Sequence, residues 1–143
     1  MSLSLWMLLA FAGWTLLVLL VGVGVYRWSL ILTRRAELSS FPGDTPHGSP
    51  AYRRAVRAHA NCIENLPVFG AIILCAEAAN LEPAHMGSLA VVTMAARVAQ
   101  TSIHMALPET NAAVGVRFSF FTVQVLAMIA MAVLVVLAAL AHR

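Results

Sequence analysis

Apolar residues run through this chain in four long blocks separated by short polar stretches. The first block, Leu3 to Leu32, is interrupted mainly by Gly13, Gly22, Gly24 and Arg27, and it can cross the roughly 30 Å hydrocarbon core of a bilayer with turns to spare. Trp6, Trp14, Tyr26 and Trp28 include rings near both of its ends, where amphipathic aromatics suit the headgroup level. A first helix over about 4–35 is therefore predicted. Its Gly22 and Gly24 pair has two readings, close helix packing or a loosened helix. Phe41 to Pro50, FPGDTPHGSP, is too rich in proline and glycine for regular helix or central strand, so a loop is expected over about 36–51. The second helix, about 52–80, starts polar and ends apolar, with Pro67 inside it as an expected kink. After a connection containing Pro83, the third helix, about 85–107, is apolar except for Arg97, Gln100, Thr101, Ser102 and His104. Pro108 to Asn111 turns the chain into a fourth helix, about 112–141, with Arg117 and Gln124 in its first half.

Composition moves this pattern into a membrane. Of the 143 residues, 61% are hydrophobic and 10% charged, against about 25% charged in soluble domains. The length leaves room for four spans and little else, so one membrane domain over 1–143 is expected. Lipid requires every backbone group to be satisfied within its own segment, which predicts an all-α up-down bundle of four transmembrane helices. The N-terminal block lacks a basic lead and a small-residue cleavage site, so it reads as a retained helix. The charge of +3 comes from arginines beside or inside apolar segments, not from a basic, aromatic-interleaved patch, so nucleic acid is set aside as a partner. Arg27, Arg34, Arg35, Arg53, Arg54, Arg57, Arg97 and Arg117 fall on one side of the expected bundle and only Arg143 on the other. By the positive-inside rule both termini then face away from the cytoplasm. The compartment would be the inner membrane of a bacterium or the endoplasmic reticulum of a eukaryote. Cys62 and Cys75 lie on one helix and point apart at about 100° per residue, so reduced thiols are expected.

The unusual piece is Arg53 to Phe69, RRAVRAHANCIENLPVF. On a helix, Arg53, Arg57, Asn61 and Glu64 follow i, i+4, i+8, i+11 spacing and share one face. Arg97, Thr101 and His104 share a face of the third helix, and all these residues, with Arg117 and Gln124, fall at similar depth. A charge at membrane depth costs about 2.5–3.5 kcal/mol near a helix centre, so each needs a partner or water. One cavity lined by arginine would bind an anion through bidentate contacts to carboxylates. The plainer readings are solvated Arg53 and Arg54, an Arg57–Glu64 ion pair, a snorkelling Arg97 and an interfacial His104. His59 reads as structural, and Glu77, His85 and His142 as interfacial. No metal-ligand spacing, phosphate loop or serine elbow appears.

RAHANCIENLPVF resembles the signature of the membrane-associated proteins in eicosanoid and glutathione metabolism, through Arg57, Ala58, His59, Asn61, Glu64, Pro67 and Phe69. The likeness extends to the four apolar blocks, the proline-rich loop, Arg97 and Arg117. It implies a homotrimer in the lipid bilayer, with glutathione as co-substrate, no metal, and a lipophilic small-molecule substrate. It further implies that Arg57, Asn61 and Glu64 hold the polar ends of glutathione, that Arg53, Arg97, His104, Thr122 and Gln124 contribute, and that Arg117 sits beside the sulfur as the catalytic group. Asp44 corresponds to an acidic loop residue of several members, and Arg34 or Arg35 to a first-helix arginine. Cys62, His104 and Phe121 depart from residues common in the family, which favours a detoxifying glutathione transferase, with peroxidase activity as a second use of the same thiolate, over a dedicated eicosanoid synthase. The alternative is a non-catalytic protein of the same fold whose arginines bind anionic lipid; a transporter is disfavoured because no internal repeat is visible.

Overall fold

The computed structural model describes residues 1–42, 47–81 and 83–141. Among these the chain forms four long helices and no strand: α1 Leu3–Leu32, α2 Pro50–Ala78, α3 Met86–Ala106 and α4 Asn111–Ala141. Three of them, α1, α2 and α4, are long and apolar enough to cross a membrane. The 21 residues of α3 span about 31 Å, which is sufficient length. Its composition falls short because Arg97, Gln100, Thr101, Ser102 and His104 crowd the second half.

Local chemistry sets the helix ends. Ser49 accepts the Tyr52 N–H at 3.2 Å as N-cap, and Pro50, which has no donor to lose, takes the first helical position. This starts α2 two residues before the expected 52. At the other end of α1 the helix stops at Leu32 instead of continuing to 35. Arg34 turns left-handed at φ 55°, and the Arg34 and Arg35 N–H groups donate to the Ile31 and Leu30 carbonyls at 3.0 and 2.9 Å. This is a Schellman closure with arginine where glycine is usual. The same closure ends α2, with Asn80 at φ 52° and Leu81 donating to Ala76 O at 2.9 Å. Helix α2 itself continues through Pro67.

Both readings of the first-helix glycines hold. Val18–Gly24 winds as a π-helix within α1. A Cβ on Gly22 would lie 3.1 Å from Ala55 Cβ and 3.1 Å from Met105 Cε, so α1, α2 and α3 approach closely there. The apolar centre consists of Phe11, Cys62, Phe69, Ile73, Ala76, Met86, Ala90, Met128 and Met131, with the Phe11 and Phe69 rings 5.5 Å apart. Leu9, Leu16, Ile63, Val68, Leu126 and Val136 face outward, as a surface in lipid allows. Helix α3 touches all three others, most extensively α4. Its Thr93, Arg97, Gln100, Thr101 and His104 side chains are therefore enclosed by protein, while Ser102 is exposed.

Candidate functional site

Helix α2 turns Tyr52, Ala55, Ala58, Cys62, Phe69, Ile73 and Ala76 into the bundle. The other face is left outside: Arg53, Arg57 and Glu64 are exposed and Asn61 is half-buried. Glu64 lies midway along the 29-residue helix, between exposed Ile63 and Val68. The predicted stripe is thus real as a face, and it points away from its own bundle.

At the start of α2, Pro50, Arg53, Arg54 and Arg57 form a cleft of about 560 Å³ with Pro108 and Glu109 of the α3–α4 connection. Arg54 Nε donates to Met105 O at 3.3 Å, which ties this end of α2 to α3. His104, buried on the last turn of α3, lies within electrostatic range of Arg117, Glu109, Arg57 and Arg54. Arg117 is half-buried on the second turn of α4. Three helices therefore bring Arg57, His104 and Arg117 to one end of the bundle.

A second polar group lies inside. Thr93, Arg97, Gln100, Thr101 and His104 are all buried, forming one face of α3 as the i, i+3, i+4, i+7 spacing dictates. Gln124 Nε2 on α4 donates to Gln100 Oε1 at 2.8 Å and to its own Phe120 O at 3.2 Å. Arg97 is 0% exposed, with its guanidinium carbon 5.4 Å from the centre of the Phe11 ring. It lies within electrostatic range of the Cys62 thiol and of Glu64, yet its Nε and Nη2 have no hydrogen-bond partner among the described residues. Arg97 neither snorkels nor opens onto the outward stripe.

The remaining expected residues are scattered. Thr122 donates back to Phe118 O of its own helix at 2.9 Å. Arg34 and Arg35 line a separate depression at the end of α1 with Ile31, Ala36, Glu37 and Ser40. Asp44 lies outside the described residues. Four residues were missed as site candidates. Gln100 could have been recognised because it shares the inward face of Arg97 and His104. Arg54 and Glu109 enter through the geometry of the α3–α4 connection, which carries no sequence signal. Tyr52 accepts from Arg27 Nε at 2.6 Å and stacks on Tyr26 at 4.3 Å, pinning α2 to α1 beside the loop. Glu77, without a foreseen partner, accepts a hydrogen bond from the Ser2 hydroxyl at the opposite end of the bundle.

Four helices with an apolar exterior, three of them long and apolar enough to cross a membrane, a charged outward stripe and an arginine cluster at one end mark an integral membrane protein. A family model described as MAPEG family matches residues 4–137 of the 143, and the chain belongs to that family. Its members are oligomer-forming membrane proteins of eicosanoid and glutathione metabolism, glutathione transferases and related enzymes among them. No curated protein matches the chain individually.

Proposed function

We propose that this protein is an integral membrane glutathione transferase, working as a homotrimer with glutathione bound between neighbouring subunits. The observation that carries the reading is the direction of the α2 stripe. Glu64 is exposed halfway along the 29-residue α2, and neither its side chain nor that of Arg57 takes part in a hydrogen bond among the described residues. Left against lipid, a charge at that depth costs about 2.5–3.5 kcal/mol. A neighbouring subunit and a zwitterionic, carboxylate-bearing ligand between the two would remove that cost. Arg57 then meets a glutathione carboxylate in bidentate fashion, Glu64 takes its ammonium group and Asn61 a backbone amide. Arg117 from the start of α4 faces the sulfur.

The chemistry follows from charge. A free thiol titrates near about 8.5, and a guanidinium beside it favours the anion that attacks. A lipophilic electrophile arriving through the bilayer meets that thiolate at the subunit seam, and a lipid hydroperoxide would be reduced by the same sulfur. Both termini face away from the cytoplasm in this reading, so that glutathione enters at the arginine end. The test is titration calorimetry of glutathione into detergent-purified protein. Binding lost in Arg57→Ala and in Glu64→Ala supports the assignment. Absence of glutathione binding, with binding of anionic phospholipid instead, would replace it with a lipid-binding role for the same arginines.

A further inference from the structure

The surroundings of Cys62 are not used by glutathione conjugation. The thiol is 0% exposed on the inward face of α2, and its Sγ lies 3.6 Å from Thr101 Oγ1 on α3. The Arg97 guanidinium lies within electrostatic range of the same sulfur and is held over the Phe11 ring. A buried cysteine by itself is a small inert hydrophobe. Here a second observation points to a ligand. Arg97, itself fully buried, has two N–H-bearing nitrogens, Nε and Nη2, with no acceptor, and unmet buried donors carry a desolvation cost until an acceptor arrives.

The buried face of α3 continues beyond Arg97. Gln100, Thr101 and His104 lead from Arg97 towards the arginine cleft, and Gln124 Oε1 on the facing helix is a buried acceptor without a donor. Unmet buried donors and acceptors are the places where buried water binds. A hydroperoxide has the hydrogen-bonding capacity of water in a slightly larger molecule, so it can replace such water.

We propose that Cys62 is a peroxide-reducing thiol, with Thr101 and Arg97 orienting the two peroxide oxygens at its sulfur. The sulfur attacks one peroxide oxygen, an S–O bond forms and the O–O bond breaks. The thiol proton passes to the departing oxygen, leaving a sulfenic acid and water or an alcohol; sulfur is oxidised and the peroxide reduced. Thr101 and the unmet Arg97 donors stabilise the charge that develops on the departing oxygen. A small thiol then condenses with the sulfenic acid, releasing water and leaving a mixed disulfide. A second small thiol displaces Cys62 and departs as the symmetric disulfide. The oxidation step is independent of the glutathione reading, and only this return step rests on it.

The helix carries its own reference, because Cys75 on α2 is exposed. Full-length protein in detergent is treated with hydrogen peroxide, quenched, unfolded in SDS and alkylated with N-ethylmaleimide, and peptide mass spectrometry reads the surviving thiol at each position. Accessibility alone predicts that Cys75 is lost first. The proposal predicts that Cys62 is lost about tenfold faster than Cys75, as one hydrogen bond from a cationic donor can provide. Arg97→Gln and Thr101→Val should each abolish most of that lead. Thr101→Val keeps the side-chain volume and decides the matter if Arg97→Gln does not fold. Loss of Cys75 before Cys62, or an undiminished lead in folded Thr101→Val, overturns the proposal. Glutathione added after peroxide should restore Cys62 labelling; failure to do so overturns the cycle while leaving calorimetric glutathione binding untouched.

Discussion

The Gln100–Gln124 contact makes an asymmetric prediction. Gln124→Leu removes the 2.8 Å bond to Gln100 Oε1 and the 3.2 Å bond to Phe120 O, and it strands Gln100 Oε1 in a site 6% exposed. Gln100→Leu removes only the first bond, and Gln124 Nε2 keeps Phe120 O. A stranded buried acceptor costs about 1–3 kcal/mol, whereas an interhelical bond in a membrane protein averages about 0.6 kcal/mol. Deleting Gln124 also removes its unmet Oε1, which offsets part of the loss. The expected costs are about 1–2 kcal/mol for Gln124→Leu and under about 1 kcal/mol for Gln100→Leu. The double variant should be no worse than Gln124→Leu, because two leucines leave nothing polar stranded between α3 and α4. Reversible unfolding in mixed SDS and dodecylmaltoside micelles, followed by tryptophan fluorescence, measures all three. A Gln100→Leu cost above that of Gln124→Leu, or strict additivity in the double variant, would refute the assignment of Nε2 as shared donor.

Arg117→Ala should lose most of the thiolate absorbance that appears when glutathione is added to wild-type protein, while calorimetric binding through Arg57 persists; a folded variant with unchanged thiolate formation removes Arg117 from the chemistry. Gly22→Ala and Gly13→Ala should move stability in opposite directions. The first brings Cβ to 3.1 Å from Ala55 Cβ, whereas the second meets nothing within 4 Å and gains up to about 0.5–1 kcal/mol from lower chain entropy, both read in the same micelle titration. Tyr52→Phe deletes the acceptor of Arg27 Nε at 2.6 Å and should cost about 1.5–3 kcal/mol, with faster protease cleavage between Glu37 and Ser49 as the local readout. Unchanged cleavage would mean that the Arg27–Tyr52 bond does not hold the loop.

The helices were legible because their apolar blocks are long and their stops are chemical. The expected loop holds at Phe41, Pro42 and from His47 to Ser49, with 43–46 outside the described residues and Pro50 already helical, and the Ala79–Asn80–Leu81 stop follows from asparagine tolerating a left-handed backbone. Arg34 in that conformation was not legible, since arginine carries no such preference, and the first helix was drawn too long. The Ser49–Pro50 start was written in the sequence and was placed two residues late. Among site residues, the grouping of Arg97, Thr101 and His104 on one face was correct because helical periodicity alone determines it. What periodicity could not supply was the depth of Arg97 within the bundle, or the Thr101 hydroxyl beside Cys62.

The reason lies in the solvent. In water, a polar helix face marks the outside, so one pattern yields both face and direction. In a bilayer both the lipid and the protein interior are apolar, and a polar face states only that it avoids lipid. Helices α2 and α3 show this ambiguity resolved in opposite senses. The face holding Arg97, Gln100 and Thr101 avoids lipid by turning inward, where α3 touches every other helix. The face holding Arg53, Arg57 and Glu64 turns outward, where the inward positions are already filled by Ala55, Ala58, Cys62 and Phe69. An inward polar face is satisfied within one chain, and its function must be reached through the seam. An outward one halfway along a spanning helix carries the cost of a charge against lipid in a single chain, so what covers Glu64 decides whether this protomer can exist alone in a membrane.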